Sequence, residues 1–136
     1  MKNLQINLNY NYGYRWYSNN NVKAKGYIFD KKNFLYEKEN LLNYFININT
    51  EEEFRNAISN ANGIFSVIIQ KDKKIMFSVD KTRTFPLLYI DNENDLIISD
   101  DSYFLRENYK NDLDNVNSDE FLSIGFVMGE ETLLQN

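Results

Sequence analysis

Between Gln5 and Tyr17 apolar and polar residues alternate. Ile6, Leu8, Tyr10, Tyr12, Tyr14 and Trp16 fall on even positions, and Gln5, Asn7, Asn9, Asn11 and Arg15 on odd ones. A period of two belongs to a half-buried strand with one row of side chains on the core. Gly13 within the run marks a bulge or a close backbone approach. Because Ile6 and Leu8 share the row with the aromatic rings, burial is the expectation. The competing reading is an exposed ladder that stacks sugars or bases, and it requires the same row to face solvent.

The pattern continues as strands grouped in hairpins, with helices segregated between them. Ser18–Asn21 reads as a turn, Val22–Phe29 as a second strand, and Asp30–Asn33 as its end. Leu41, Leu42, Phe45 and Ile46 stand at helical spacing, which predicts a short amphipathic helix over Glu37–Ile46. The clearest helix signal runs from Thr50 to Asn62. Thr50 and Glu53 form a capping box, Glu51 and Glu52 favour the helix start, and Phe54, Ala57, Ile58 and Ala61 make the inward stripe. Asn62-Gly63 is the expected stop. Ile64–Ile69 and Ile75–Val79 flank the polar turn Gln70–Lys74. Leu87–Ile90 and Leu96–Ser99 flank Asp91–Asp95, giving a second hairpin after Pro86. Ser118-Asp119-Glu120 is expected to start a last helix, with Phe121, Leu122 and Ile124 inward and Gly125 at its end. These elements predict a single α+β domain with antiparallel sheets over residues 1–136.

Composition narrows the chemistry. With 43% hydrophobic and 15% aromatic residues, the chain can bury a core. The formal charge of −5 and the absence of a basic patch exclude ordinary nucleic-acid binding; Lys71, Lys73 and Lys74 read as turn residues around Asp72. There is no cysteine and no histidine. That removes thiolate metal sites, a cysteine nucleophile and a Ser-His-Asp triad. No apolar run is long enough to span a bilayer, and Met1–Gln5 lacks a signal-peptide core, so a cytoplasmic protein is expected.

The stretch N-G-I-F-S-V-I-I-Q-K-D-K-K-I-M-F-S-V-D-K-T-R-T-F-P-L-L-Y, Asn62–Tyr89, resembles the N-terminal class II glutamine amidotransferase-like domain of the asparagine synthetase family. There a helix ends in an N/D-G-x-F-A-F turn, and a hairpin leads to R-D-x-x-G-x-x-P-L-Y. Asp80, Pro86, Leu87 and Tyr89 hold that pattern, with Arg83 where the family has glycine. Ile97–Asp101 is similar to the family's next strand and S-E turn. F-L-S-I-G-F-V-M-G-E-E-T-L-L-Q-N, Phe121–Asn136, resembles F/Y-L-x-x-G-Y-V-P-G-x-x-T-L-F, with Met128 for proline. The resemblance covers roughly the C-terminal three-fifths well and the N-terminal part weakly. It implies an Ntn-hydrolase-like four-layer αββα sandwich with antiparallel sheets. It also implies that 1–136 is the N-terminal part of a longer asparagine-synthetase-like protein, because the last motif stops at Gln135-Asn136.

The departures fall on the chemistry. The family's nucleophile is a cysteine directly after the initiator methionine; this chain has Lys2, and its first serine or threonine is Ser18. The family's N-G-E-I-Y-N turn aligns with Lys25-Gly26-Tyr27-Ile28-Phe29-Asp30, leaving Gly26 alone and a lysine in place of the oxyanion-stabilising asparagine. The substrate-gripping aspartate falls near Glu37, and the arginine segment that holds the substrate carboxylate is missing. No catalytic, substrate-binding, cofactor-binding or metal-binding residue is therefore assigned. Two loops carry charge. Asp80-Lys81-Thr82-Arg83-Thr84 is read as a turn shaped by Asp80, through the backbone or Arg83, in preference to an anion site. Asp100-Asp101, with Glu107 nearby, is read as helix capping in preference to a cation site.

The expectation is a catalytically inactive amidotransferase-like domain of an ATP-dependent amide-forming protein. Its partner would be an asparagine-synthetase-like ATP-binding domain in the same or another chain. No cofactor is expected here; ATP and Mg are implied for the synthetase domain, whose S-G-G-x-D-S loop this sequence lacks. The alternative is a stand-alone module binding carbohydrate on Tyr10, Tyr12, Tyr14 and Trp16. A third reading, Ntn hydrolysis through an unrecognised nucleophile, needs Met1 removed.

Overall fold

The computed structural model describes residues 2–71, 74–108 and 114–127. These fall into two compact units, one running to Asp101 and the other starting at Ser102. Among the described residues no helix is long and apolar enough to cross a membrane.

The first unit is built on a five-stranded sheet. Its strands are β2 (Tyr17–Ser18), β3 (Val22–Phe29), β4 (Leu35–Glu37), β5 (Asn62–Lys71) and β6 (Lys74–Val79). The path runs β2-β3-β5-β6 with β4 also on β3, and all its pairings are antiparallel. The long β3–β5 ladder sets Lys25 opposite Ser66 and Gly26 opposite Phe65. A second sheet has the order β1-β8-β7, from β1 (Asn3–Asn7), β7 (Leu88–Asp91) and β8 (Asp95–Ser99). Here β7 and β8 are antiparallel, but β1 lies parallel to β8, with Asn3 opposite Asp95 and Asn7 opposite Ser99. The molecule is thus mixed α/β with antiparallel sheets and this one parallel exception.

Alternation along β3 and β5 sorts the two faces of the large sheet. Val22, Ala24 and Ile28 join Phe65, Val67, Ile69 and Met76 in one buried cluster with Leu41, Leu42, Phe45, Ile48 and Phe54. The last five come from the helical layer, α1 (Leu41–Phe45), α2 (Glu51–Asn60) and their connection. A fully buried side chain such as Phe45 contributes about 1.5–3 kcal/mol of transfer free energy. On the other face lie Lys25, Ser66, Ile68 and Phe77, and the Phe77 ring meets Tyr89 of β7 at 5.4 Å.

The Thr50–Glu53 capping box is formed in full, with Glu53 N donating to Thr50 Oγ1 and Thr50 N to the Glu53 carboxylate. The N–H groups of Asn49 and Thr50, both donating to the Glu53 carboxylate, lower its pKa, Asn49 most. At its far end α2 stops at Asn60, because Asn62 and Gly63 already belong to β5. The segment Glu37–Ile46 is not one helix: Leu35–Glu37 is a strand, Lys38–Asn40 a 3-10 turn, and Ile46 is exposed. Both hairpins form where expected; Asp72 and Lys73 lie outside the described residues.

The larger correction concerns Gln5–Tyr17. The strand ends at Asn7, and residues 8–16 form a loop. Tyr12 is 89% exposed, and Tyr10 and Tyr14 are exposed at 40% each, so the buried aromatic row does not exist. Three features break it. β8 pairs no further than Ser99, Gly13 takes a left-handed φ of 72°, and Asn11 Oδ1 accepts from Trp16 N at 3.0 Å, which folds the loop on itself.

The second unit contains α3 (Ser102–Asn108) and α4 (Asn115–Ile124). Gly125 ends α4 in the left-handed conformation as expected, at φ 83°. The helix starts earlier than Ser118, because Asp114 caps it by accepting from Asn117 N at 3.0 Å. Phe121, Leu122 and Ile124 are exposed, Leu122 at 82%. The motif residues from Met128 to Asn136 lie outside the described residues.

Candidate functional site

A cavity of about 230 Å³ opens in the first unit, lined by Tyr10, Trp16, Lys25, Phe85, Pro86 and Asp100. At its base is Lys25, only 4% exposed although it carries a charge. Its ammonium donates to the Tyr10 carbonyl at 2.6 Å and stands 5.0 Å from the Phe85 ring centre and 6.0 Å from that of Trp16. Electron-rich ring faces attract a cation at these distances, more strongly when water is excluded. Burial pulls the Lys25 pKa below that of an ordinary lysine, while the negative charge of Asp100 opposes the shift.

Each wall is set by an identifiable bond. Ser66, opposite Lys25 on β5, donates its hydroxyl to the Phe85 carbonyl, which brings the Phe85–Pro86 segment over the lysine. The loop wall is held by Asp100, directly after β8. One carboxylate oxygen accepts from Asn9 N at 2.7 Å; the other accepts from Tyr10 N at 3.1 Å and from the Trp16 indole N–H at 2.7 Å. Asn9 Nδ2 adds a bond to Asp101 at 3.0 Å. Tyr14 lies next to this lining, with its ring 5.4 Å from Phe85 and 6.1 Å from Tyr27.

The charged turn after β6 is committed to its own structure. Asp80 is buried and accepts from Phe65 N, Thr82 N, Thr84 N and both threonine hydroxyls, at 2.6–3.3 Å. Its carboxylate occupies the place an outside anion would take. The turn reading therefore stands, with backbone as the partner; Arg83 contributes its own N–H, bonded to the Asp80 carbonyl, and a left-handed φ of 54°.

The remaining residues singled out from sequence are dispersed. Lys2 is exposed and paired with Asp91, Ser18 is exposed on β2, and Glu37 is exposed on β4. Asp30 holds the turn after β3 by accepting from Lys32 N at 2.8 Å and Phe34 N at 2.9 Å. Gly26 has a structural reason: its φ is 101°, and a Cβ there would lie 2.0 Å from the Ile64 carbonyl oxygen. Asp100 ties down the loop by accepting from Asn9 N, Tyr10 N and the Trp16 indole. Among the described residues no group of three or more acidic side chains could hold a metal ion.

Sequence reasoning placed Lys25 only by comparison with an oxyanion position and missed the cavity. The available signal was weak: Lys25 stands between Ala24 and Gly26, but the same strand also carries Lys23. Phe85 and Pro86 as walls had no local signal. Set against protein-family models, curated proteins and solved structures, the chain matches none.

Proposed function

We propose that the chain is a catalytically silent amidotransferase-like domain of an asparagine-synthetase-related, ATP-dependent amide-forming protein. In this reading it serves as a structural partner of the ATP-binding domain, and its fold is of the Ntn-hydrolase sandwich type. One observation carries the reading beyond the sequence motifs. Where the family needs a neutral donor for an oxyanion, Lys25 is boxed between aromatic rings and bonded to the Tyr10 carbonyl. The cavity beside it is lined by no hydroxyl of serine or threonine, and the chain has no thiol. Glutamine hydrolysis needs an activated nucleophile beside its oxyanion site, and the described lining of this cavity supplies none next to Lys25. A helical layer on one face of a large sheet, with a smaller sheet carried beyond the other face, is compatible with the sandwich.

Purified protein incubated with glutamine is expected to release no glutamate. Steady release above a buffer control, lost on mutation of any described side chain, overturns the silent assignment. Co-purification with an ATP-binding domain that carries the S-G-G-x-D-S loop tests the partnership.

The exposed rings of Tyr10, Tyr12 and Tyr14 favour a second reading, the carbohydrate-binding module. Against it, the indole N–H of Trp16 is already committed to Asp100. Saturable binding of an oligosaccharide that is lost in a triple Tyr→Ala variant would make it the better account.

A further inference from the structure

We infer that the cavity over Lys25 is a binding site for a small carboxylate with a flat apolar body, such as an aromatic monocarboxylate. The inference rests on the cavity alone and is independent of the silent-domain reading.

The walls set the body of the ligand. Tyr10, Trp16, Phe85 and Pro86 supply aromatic and apolar surface, which suits a planar group. The volume, about 230 Å³, is below the 300–1,000 Å³ typical of drug-sized sites, so a single ring with a short substituent is the right scale.

The polar groups set its head. An ammonium has three donors, and the bonds to Lys25 Nζ include one acceptor, the Tyr10 carbonyl. Its remaining donors line a cavity whose other walls are mainly apolar. Asp100, the other charged group there, already serves three N–H donors that hold the loop. The donors left over in the site are therefore those of the Lys25 ammonium, whose charge the Asp100 carboxylate in the same lining offsets only in part. A sugar would need several partners for its hydroxyls, and a phosphate more donors than one ammonium supplies. A carboxylate needs one good charge-assisted bond, strengthened by the shielding that buries Lys25.

Trp16 is the only tryptophan and forms one wall, so its emission reports occupancy directly. Titration of the full chain with benzoate should change Trp16 fluorescence saturably. Benzamide, of the same shape without the charge, should bind at least about tenfold more weakly, the equivalent of one charge-assisted bond. Lys25→Met should lower benzoate affinity by a similar factor. If that variant does not fold, the benzoate–benzamide comparison on the unaltered protein decides alone. Equal affinity for the two compounds, no response to benzoate, or undiminished binding by K25M overturns the inference. So does a response to methyl glucoside in the absence of one to benzoate.

Discussion

Replacing Asp80 by asparagine probes how the turn ahead of Pro86 is held. One Asp80 oxygen accepts from Thr82 N and both threonine hydroxyls; the other accepts from Phe65 N and Thr84 N. Hydroxyls can rotate away, but main-chain N–H groups cannot. In Asp80→Asn one acceptor becomes an NH₂ group, so at least one of those three main-chain donors faces another donor. A buried donor left unsatisfied costs about 1–3 kcal/mol, out of a total stability of about 5–15 kcal/mol. The loss has a pH signature. Burial alone would raise the Asp80 pKa, but hydrogen bonds from Thr82, Thr84 and Phe65 outweigh it and leave the value lowered. A carboxyl whose folded pKa lies below its unfolded value, about 3.9, stabilises fully above that value. The contribution fades as pH falls through the folded pKa, where the protonated acid resembles the amide. Urea unfolding followed by circular dichroism should therefore show D80N less stable than the unaltered protein at pH 7, with the gap closing below about pH 4. A gap under about 0.5 kcal/mol at neutral pH, or one that persists undiminished in acid, refutes the reasoning.

Three further outcomes are expected. Gly26→Ala should cost about 3 kcal/mol or more, or abolish folding, because it combines a left-handed φ with a 2.0 Å clash on Ile64 O; thermal unfolding measures it. Thr50→Ala removes one half of the capping box and should cost about 1 kcal/mol in chemical denaturation. Asp100→Ala should release the loop: Trp16 emission shifts to the red, and the amides of Asn9 and Tyr10 exchange faster with deuterium. An unchanged Trp16 spectrum in D100A would show that the loop is held by something else.

Elements that depend on neighbours in sequence were legible. The Thr50–Glu53 box spans four residues, and Val22–Phe29 occupies its expected bounds because apolar residues run through it and β5 pairs along its whole length. The tyrosine row was misread for the opposite reason. Alternation shows that a segment could be a strand, but a ladder also needs a partner, and β8 reaches only as far as Asn7. Residues 8–16 then follow the local bond offered by Asn11 and the tertiary bonds offered by Asp100. The cavity was invisible for a related reason: Tyr10, Lys25, Ser66, Phe85 and Asp100 meet only through tertiary pairing. In α4, Ser118 resembles a cap, yet Asp114 N-terminal to it caps the helix and adds a turn.

The parallel pairing of β1 with β8 also dictates an order of assembly. Asn3–Asn7 has no partner until the chain has been made past Ser99, whereas β5 and β6 pair through the contact of Lys71 with Lys74. Closing the longer loop costs conformational entropy before any contact repays it, so local hairpins precede it. Asp100 follows β8 directly and captures Asn9, Tyr10 and Trp16 only once that strand has docked. The wall of the Lys25 cavity is thus completed late, over a sheet that is already formed, and a nascent chain would carry the buried lysine uncovered until then.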